Sequence, residues 1–223
     1  MSTNWGSTLN IAEVPPGTER SILGYAGESL VIGRALVCGY NLFFKAWRDS
    51  RYDAVLDHRG ILYRLEIKQS RDGRNFSLTS GGRSGAQIDR EADSREQVVS
   101  SDDCDVLIAV HSLTGKCWVV PAEVITILDR RVLTAEALAP FEEAWRIFAL
   151  IPDLIGPLAN PTQLRKLSLT ALMEIAQNID LAADIPESLR IGTRTVVYLD
   201  NDIDRYAIAI WNKIATMARN REE

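Results

Sequence analysis

Asp53, Glu66 and Lys68 are the residues of this sequence whose types and spacing are suited to chemistry. Two carboxylates that converge make a site of hard oxygen ligands. Such a site suits Mg²⁺, with Mn²⁺ as a substitute, because the ion takes a few carboxylates, keeps several waters and accepts its remaining oxygens from a substrate phosphate. An ion held there polarises a phosphodiester and lowers the pKa of an attacking water. A lysine beside it can orient that water or offset charge developing in the transition state.

These residues have to be positioned by strands. Side chains alternate faces along a strand, so in residues 61–69 Leu62, Arg64, Glu66 and Lys68 share one face and Ile61, Tyr63, Leu65 and Ile67 the other. The apolar face is expected to be buried and the charged face open to solvent or ligand. Asp57-His58-Arg59-Gly60 is a hairpin turn between this strand and one over residues 52–56. With His58-Arg59 as the two-residue loop, Asp57 pairs with Gly60 and Asp53 falls opposite Arg64, on the Glu66 face and diagonal to Glu66. Diagonal neighbours lie roughly 7 Å apart at the backbone, within reach of one shared cation. Taken alone, the same pattern also describes ordinary solvated carboxylates ion-paired with Arg64 and Lys68.

The surrounding chain supplies a mixed α/β framework. Residues 1–17 form an irregular lead-in ending in Pro15-Pro16-Gly17. Ile22, Ala26, Leu30 and Val37 then recur at helical spacing over residues 18–37, Thr18 or Ser21 suits the start, Gly39 suits the end, and Glu28 rides on this helix. A strand over 42–47 precedes the hairpin, and residues 76–79 are expected to extend the sheet. Ser80-Gly81-Gly82-Arg83-Ser84-Gly85 is a flexible basic loop of the kind that lies against phosphates, followed by a polar helix to about Val99. Residues 105–110 make a short apolar run suited to a buried strand, and residues 117–120 make another after the Thr114-Gly115 turn. Beyond Pro121 helices are expected over 134–150, 162–178 and 202–219, with one strand over 193–198. The expected organisation is the lead-in, a catalytic domain over 18–125 and a mainly helical region over 126–223.

Gly24-Tyr25-Ala26-Gly27-Glu28 on a first helix, then a strand, Tyr52-Asp53 on the next strand, a hairpin and Glu66-Ile67-Lys68-Gln69 together resemble the PD-(D/E)XK nuclease superfamily. The likeness is nearest to its archaeal Holliday-junction resolvase and intron-endonuclease branches and covers about residues 18–125. It implies a restriction-endonuclease-like core of helix, mixed central sheet and helix, and a Mg²⁺-dependent endodeoxyribonuclease. By position, Asp53 and Glu66 would be metal ligands, Lys68 the catalytic lysine, Glu28 the helix carboxylate completing the metal shell, and Gln69 an auxiliary polar residue. The proline of the family's name is Tyr52 here, a position at which many members vary. Relatives that keep the fold without activity leave a second reading open, a module that binds nucleic acid or protein. A third is an unrelated α/β domain with chance spacing.

Composition bounds these readings. With 223 residues and a 46% hydrophobic fraction the chain can bury a sizeable core. The sequence shows no membrane-span-like run and no signal-peptide pattern at Met1 to Asn10, so a cytoplasmic location is expected. Cys38, Cys104 and Cys117 are scattered, which signals neither a disulfide framework nor a thiolate zinc site. The formal net charge of −5 sits awkwardly with a DNA partner, yet residues 34–95 carry 12 Lys and Arg against 8 Asp and Glu, while residues 121–223 carry 11 against 15. Arg71, Arg74 and Arg83 flank the site as candidate phosphate contacts. Gly81, Gly82 and Gly85 lack a P-loop's Gly-Lys-Ser/Thr ending, and His58 and His111 form no metal-binding pair. Trp118, Trp145 and Trp211 read as core or interface anchors. Residues 162–189 read better as a packing or dimerisation element than as a helix-turn-helix, having few basic residues after Lys166. One metal site cuts one strand, so cleavage of both strands or of a junction predicts a two-fold homodimer.

Overall fold

A computed structural model describes residues 16–44, 50–80, 97–155, 163–167, 169–181 and 200–219. Helix α1 (Pro16–Val37) begins at a proline, whose fixed φ and missing N–H suit a first turn, and it ends at Gly39. There φ is +83°, Gly39 N–H donates to the Leu36 carbonyl and Tyr40 N–H to the Ala35 carbonyl, the paired bonds of a Schellman cap.

Strands β1 (Asn41–Phe44), β2 (Ala54–His58) and β3 (Ile61–Ser70) form an antiparallel meander. Strand β7 (Val106–His111) then runs parallel to β3, and β8 (Cys117–Pro121) antiparallel to β7. The result is a five-stranded mixed sheet of order β1-β2-β3-β7-β8. Its apolar face is covered by α1 and α3 (Ile147–Ile155). A Cβ added to Gly27 would stand 2.8 Å from Gln69 Cβ and 3.5 Å from Val110 Cγ1, so glycine permits α1 to cross β3 and β7 at that registered pair. At the other end of this face the Phe148 ring meets Tyr63 and Tyr40 edge-on at 5.1 and 5.4 Å. Pro152 has no N–H to give the Phe148 carbonyl four residues earlier, and that carbonyl accepts from the Tyr63 hydroxyl at 3.3 Å.

The opposite face carries the row Lys68, Ala109 and Trp118. Strand β4 (Asn75–Ser77) does not extend the main sheet as expected. It pairs with β9 (Val132–Thr134) in a separate ribbon, and Phe76 lies 5.0 Å from the Trp118 ring, so the ribbon lies over this second face. Strands β5 (Thr79–Ser80) and β6 (Gln97–Val98) make a further short pair, so the expected polar helix does not reach Val99. The loop with Arg83, most of that helix and the strand expected over 193–198 lie outside the described residues.

The C-terminal half is helical, with two shifts from expectation. The helix expected over 134–150 is instead the end of β9, a 3-10 turn at Ala139–Phe141 and then α3; Pro140 sits in that turn and Glu143 has φ +52°, both of which interrupt an α-helix. Helix α4 (Leu169–Asn178) follows a separate 3-10 turn at Leu164–Lys166, and α5 (Asp200–Arg219) closes the chain's described part. This half shares the core of the first. Ile210, Trp211, Ile214, Phe141 and Phe148 are buried in the same cluster as Leu65, Ile108 and Val119. Glu123, on α2 (Ala122–Leu128), accepts from Leu164 N–H at 2.8 Å, Arg165 N–H at 2.8 Å and Trp211 Nε1 at 2.9 Å. No helix among the described residues is long and apolar enough to cross a membrane.

Candidate metal-binding carboxylate site

Strand β3 has side chains standing in for backbone rungs on both of its edges. The Arg64 N–H points toward β7 and donates to Asp105 Oδ2 at 2.7 Å, while the Asp105 N–H returns a bond to the Arg64 carbonyl at 2.9 Å. Alternation along the strand turns the Ile67 N–H toward β2. Strand β2 begins only at Ala54, so the rung due at Ile67 is made by Asp53 Oδ2 at 2.8 Å, and the Asp53 N–H donates to the Leu65 carbonyl at 2.7 Å. One bond to its carboxylate and one from its backbone N–H thus tie Asp53 to the edge of β3 at Ile67 and Leu65.

The hairpin differs from the expected one by a single step on each strand. The loop is Arg59-Gly60, both at positive φ (+55° and +84°), with His58 paired to Ile61 and the Gly60 N–H held by Asp57 Oδ1 at 2.8 Å. The pairing ends at Ala54–Leu65, and Asp53, whose own N–H also donates to the Leu65 carbonyl, lies just beyond the ladder rather than opposite Arg64. Because the shift is by one on both strands, side-chain parity survives. Asp53 reaches β3 through the Ile67 N–H, one residue along from Glu66.

The charged face of β3 is not open along its length. Leu62 is 62% exposed but Glu66 only 6%, and the Lys68 side chain 18%. The Lys68 ammonium donates to Glu66 Oε1 at 2.6 Å, which gives a carboxylate in a low-dielectric place a compensating charge. Arg64 is engaged by Asp105, with Nη2 to Oδ1 at 2.8 Å and Nε to Oδ2 at 3.2 Å, a two-pronged pair that fixes the start of β7. Cys104 is close enough to feel Glu66. Burial first, and the Glu66 charge second, push its thiol well above the ordinary range.

Other expected site residues stand apart. Gln69 is on the α1 face, accepts from the Ser112 hydroxyl and lies under Gly27. Glu28 follows Gly27 on α1 and is half-buried. Among the described residues no three His, Cys, Asp or Glu side chains stand close enough together to hold a metal ion. Arg71 and Arg74 are exposed just beyond β3, where Asp72 Oδ1 accepts from Ser70 Oγ at 2.7 Å and from the Arg74 N–H at 2.9 Å. Those bonds pull the Asp72 carboxyl down to about 2. Sequence reasoning missed Asp105 and Glu123, whose partners lie far off in the chain. The only local hint of Glu123 is an acidic residue inside the apolar run after Pro121.

The donor set fits a hard divalent cation. It offers carboxylate oxygens and no imidazole or thiolate, and Mg²⁺ commonly uses one or two carboxylates with water and substrate oxygens rather than a closed protein cage. No protein-family description matches the sequence, and no curated protein matches it. A solved structure, that of the bacterial homing endonuclease I-Ssp6803I, superposes on 62% of this chain and 98% of its own, with a TM-score of 0.48 and 18% sequence identity. A likeness of that looseness carries no weight for activity, which has to be argued from the chain's own residues.

Proposed function

We propose that this chain is a divalent-metal-dependent endonuclease of the PD-(D/E)XK kind that hydrolyses DNA phosphodiester bonds. The observation that carries the reading is the Asp53 carboxylate, clamped to the N–H of Ile67, the residue between the buried Glu66 and its 2.6 Å partner Lys68. Asp53 and Glu66 would hold Mg²⁺ or Mn²⁺, which when bound polarises the scissile phosphate and makes a bound water a better nucleophile. Lys68 supplies a mobile positive charge to orient that water or offset charge on the phosphate oxygens. Arg71 and Arg74 present guanidinium groups to the phosphates flanking the cut, and Arg83 is assigned the same role on its sequence position alone. Gln69, on the α1 face of β3, falls outside the reacting centre, and Glu28 keeps its place as the proposed helix carboxylate on sequence position alone. A two-fold homodimer would let one site address each strand; a chain that sediments as a monomer both alone and on duplex DNA would remove that part.

The test is cleavage of plasmid, linear, single-stranded and four-way-junction DNA with Mg²⁺ or EDTA, comparing the wild-type chain with Asp53→Ala and Lys68→Ala. Cutting that requires the metal and is lost in both variants supports the reading, and the preferred DNA names the substrate class. The second reading, a non-cutting binding module, draws on the net charge of −5 and on a Glu66 already compensated by Lys68. DNA binding by the folded chain with no cleavage in Mg²⁺ or Mn²⁺ would favour it.

A further inference from the structure

We propose that Lys68 is a built-in competitor for the divalent cation, closing the site by occupying Glu66 until a DNA phosphate draws it away. The inference rests on the nuclease reading and adds a regulation of that same site. Glu66 is buried to 6% exposure, so its charge needs a partner, and the ammonium on Glu66 Oε1 supplies one from two residues along the same strand. A cation and an ammonium on one carboxylate repel each other strongly in a poorly solvated site. Metal entry at Glu66 therefore requires Lys68 to move.

Three features let it move and Asp53 stay. Lysine carries a compact charge on a flexible four-carbon stem, with no planar fork to lock it to a carboxylate. The contact is made through one Glu66 oxygen, unlike the two-pronged Arg64–Asp105 pair on the same strand. Asp53 is fixed to backbone by Ile67, so one carboxylate remains in place while the partner of the other changes. A phosphate oxygen at the site offers Lys68 an alternative anion. Metal and DNA then bind with positive coupling to which this side chain contributes, beside the direct contact of phosphate and metal, and the coupling is reciprocal.

The experiment measures Mn²⁺ affinity of the full chain by calorimetry or by the electron paramagnetic resonance signal of free Mn²⁺. Each of wild type, Lys68→Met, Lys68→Arg and Glu66→Gln is titrated with and without a duplex carrying uncleavable phosphate analogues. The expected result is that Lys68→Met binds Mn²⁺ roughly tenfold more tightly than wild type without DNA and gains less from DNA than wild type does. Wild type and Lys68→Arg start weak and tighten with DNA, and Glu66→Gln loses the site. Lys68→Met affinity equal to or below that of wild type, with wild type and Lys68→Arg still binding Mn²⁺, would overturn the competitor role and leave the nuclease reading standing. Absence of Mn²⁺ binding in wild type and both lysine variants, each with a folded circular-dichroism spectrum, would overturn both.

Discussion

Glu66 and Glu123 are both buried carboxylates, at 6% and 2% exposure, and the protein treats them in opposite ways. Glu123 is held by the Leu164 and Arg165 N–H groups and the Trp211 indole, three donors on two different C-terminal elements. None of these can leave without unpacking the chain. Glu66 is answered by a neighbouring lysine on its own strand, through one oxygen. The first arrangement is a latch that ties α2 to the 3-10 turn and to α5. The second leaves a carboxylate whose partner can be exchanged, which a metal site needs and a latch must avoid.

The largest way to break that comparison is at the exchangeable end. Lys68→Ala is expected to lower single-turnover DNA cleavage in Mg²⁺ by roughly 100- to 1000-fold. Because removing the ammonium also leaves the buried Glu66 carboxylate without this partner, a melting curve run beside the assay separates lost cleavage from lost fold. Cleavage within a few-fold of wild type would make Lys68 an ordinary ion-pair residue. At the fixed end Glu123→Ala strands three donors in the interior and should cost about 3 kcal/mol or more in denaturant unfolding. A loss below about 1 kcal/mol would mean that packing around Trp211 alone holds the C-terminal helices.

A smaller effect sharpens the role of α1. Gly27→Ala places a methyl group 2.8 Å from Gln69 Cβ and is expected to destabilise the fold by about 1–3 kcal/mol. Mn²⁺ affinity should be unchanged, since Gln69 and Glu66 point to opposite faces of β3. The smallest effect is a pH dependence at the latch. Burial raises the Glu123 carboxyl above its ordinary 4.5, outweighing its hydrogen bonds. A folded value above the unfolded one means that the contribution of this ionisation is fully present below about 4.5 and is lost as pH rises through the folded value. Glu123→Gln removes that slope, so the stability difference between wild type and variant should change across this window; a constant difference would place the ionisation of Glu123 elsewhere.

The candidate site was legible because its grammar is local. Glu66 and Lys68 share a face through the two-residue alternation of a strand, and the Gly60-containing turn sets the β2–β3 register that ends next to Asp53. The register was off by one step on each strand because Arg59 adopts a positive φ that its residue type does not advertise. Helix α1, its Gly39 end and the two later strands of the sheet were legible for the same reason, their periodicity and turn residues being contained within short windows.

What the sequence by itself determined is therefore the alternating faces of β3 and the chain order of α1, β1, β2, β3, β7 and β8. Only the tertiary structure decided that β7 lies parallel beside β3, that β4 leaves the sheet to pair with β9 across it, and that Glu66 is buried rather than exposed. It also decided that Gln69 and α1 lie on the far face, and that Glu123 finds partners 41, 42 and 88 residues away. The physical reason is one of range. Backbone geometry and side-chain alternation act between neighbours, whereas burial and the pairing of buried charges depend on which distant surfaces the chain brings together.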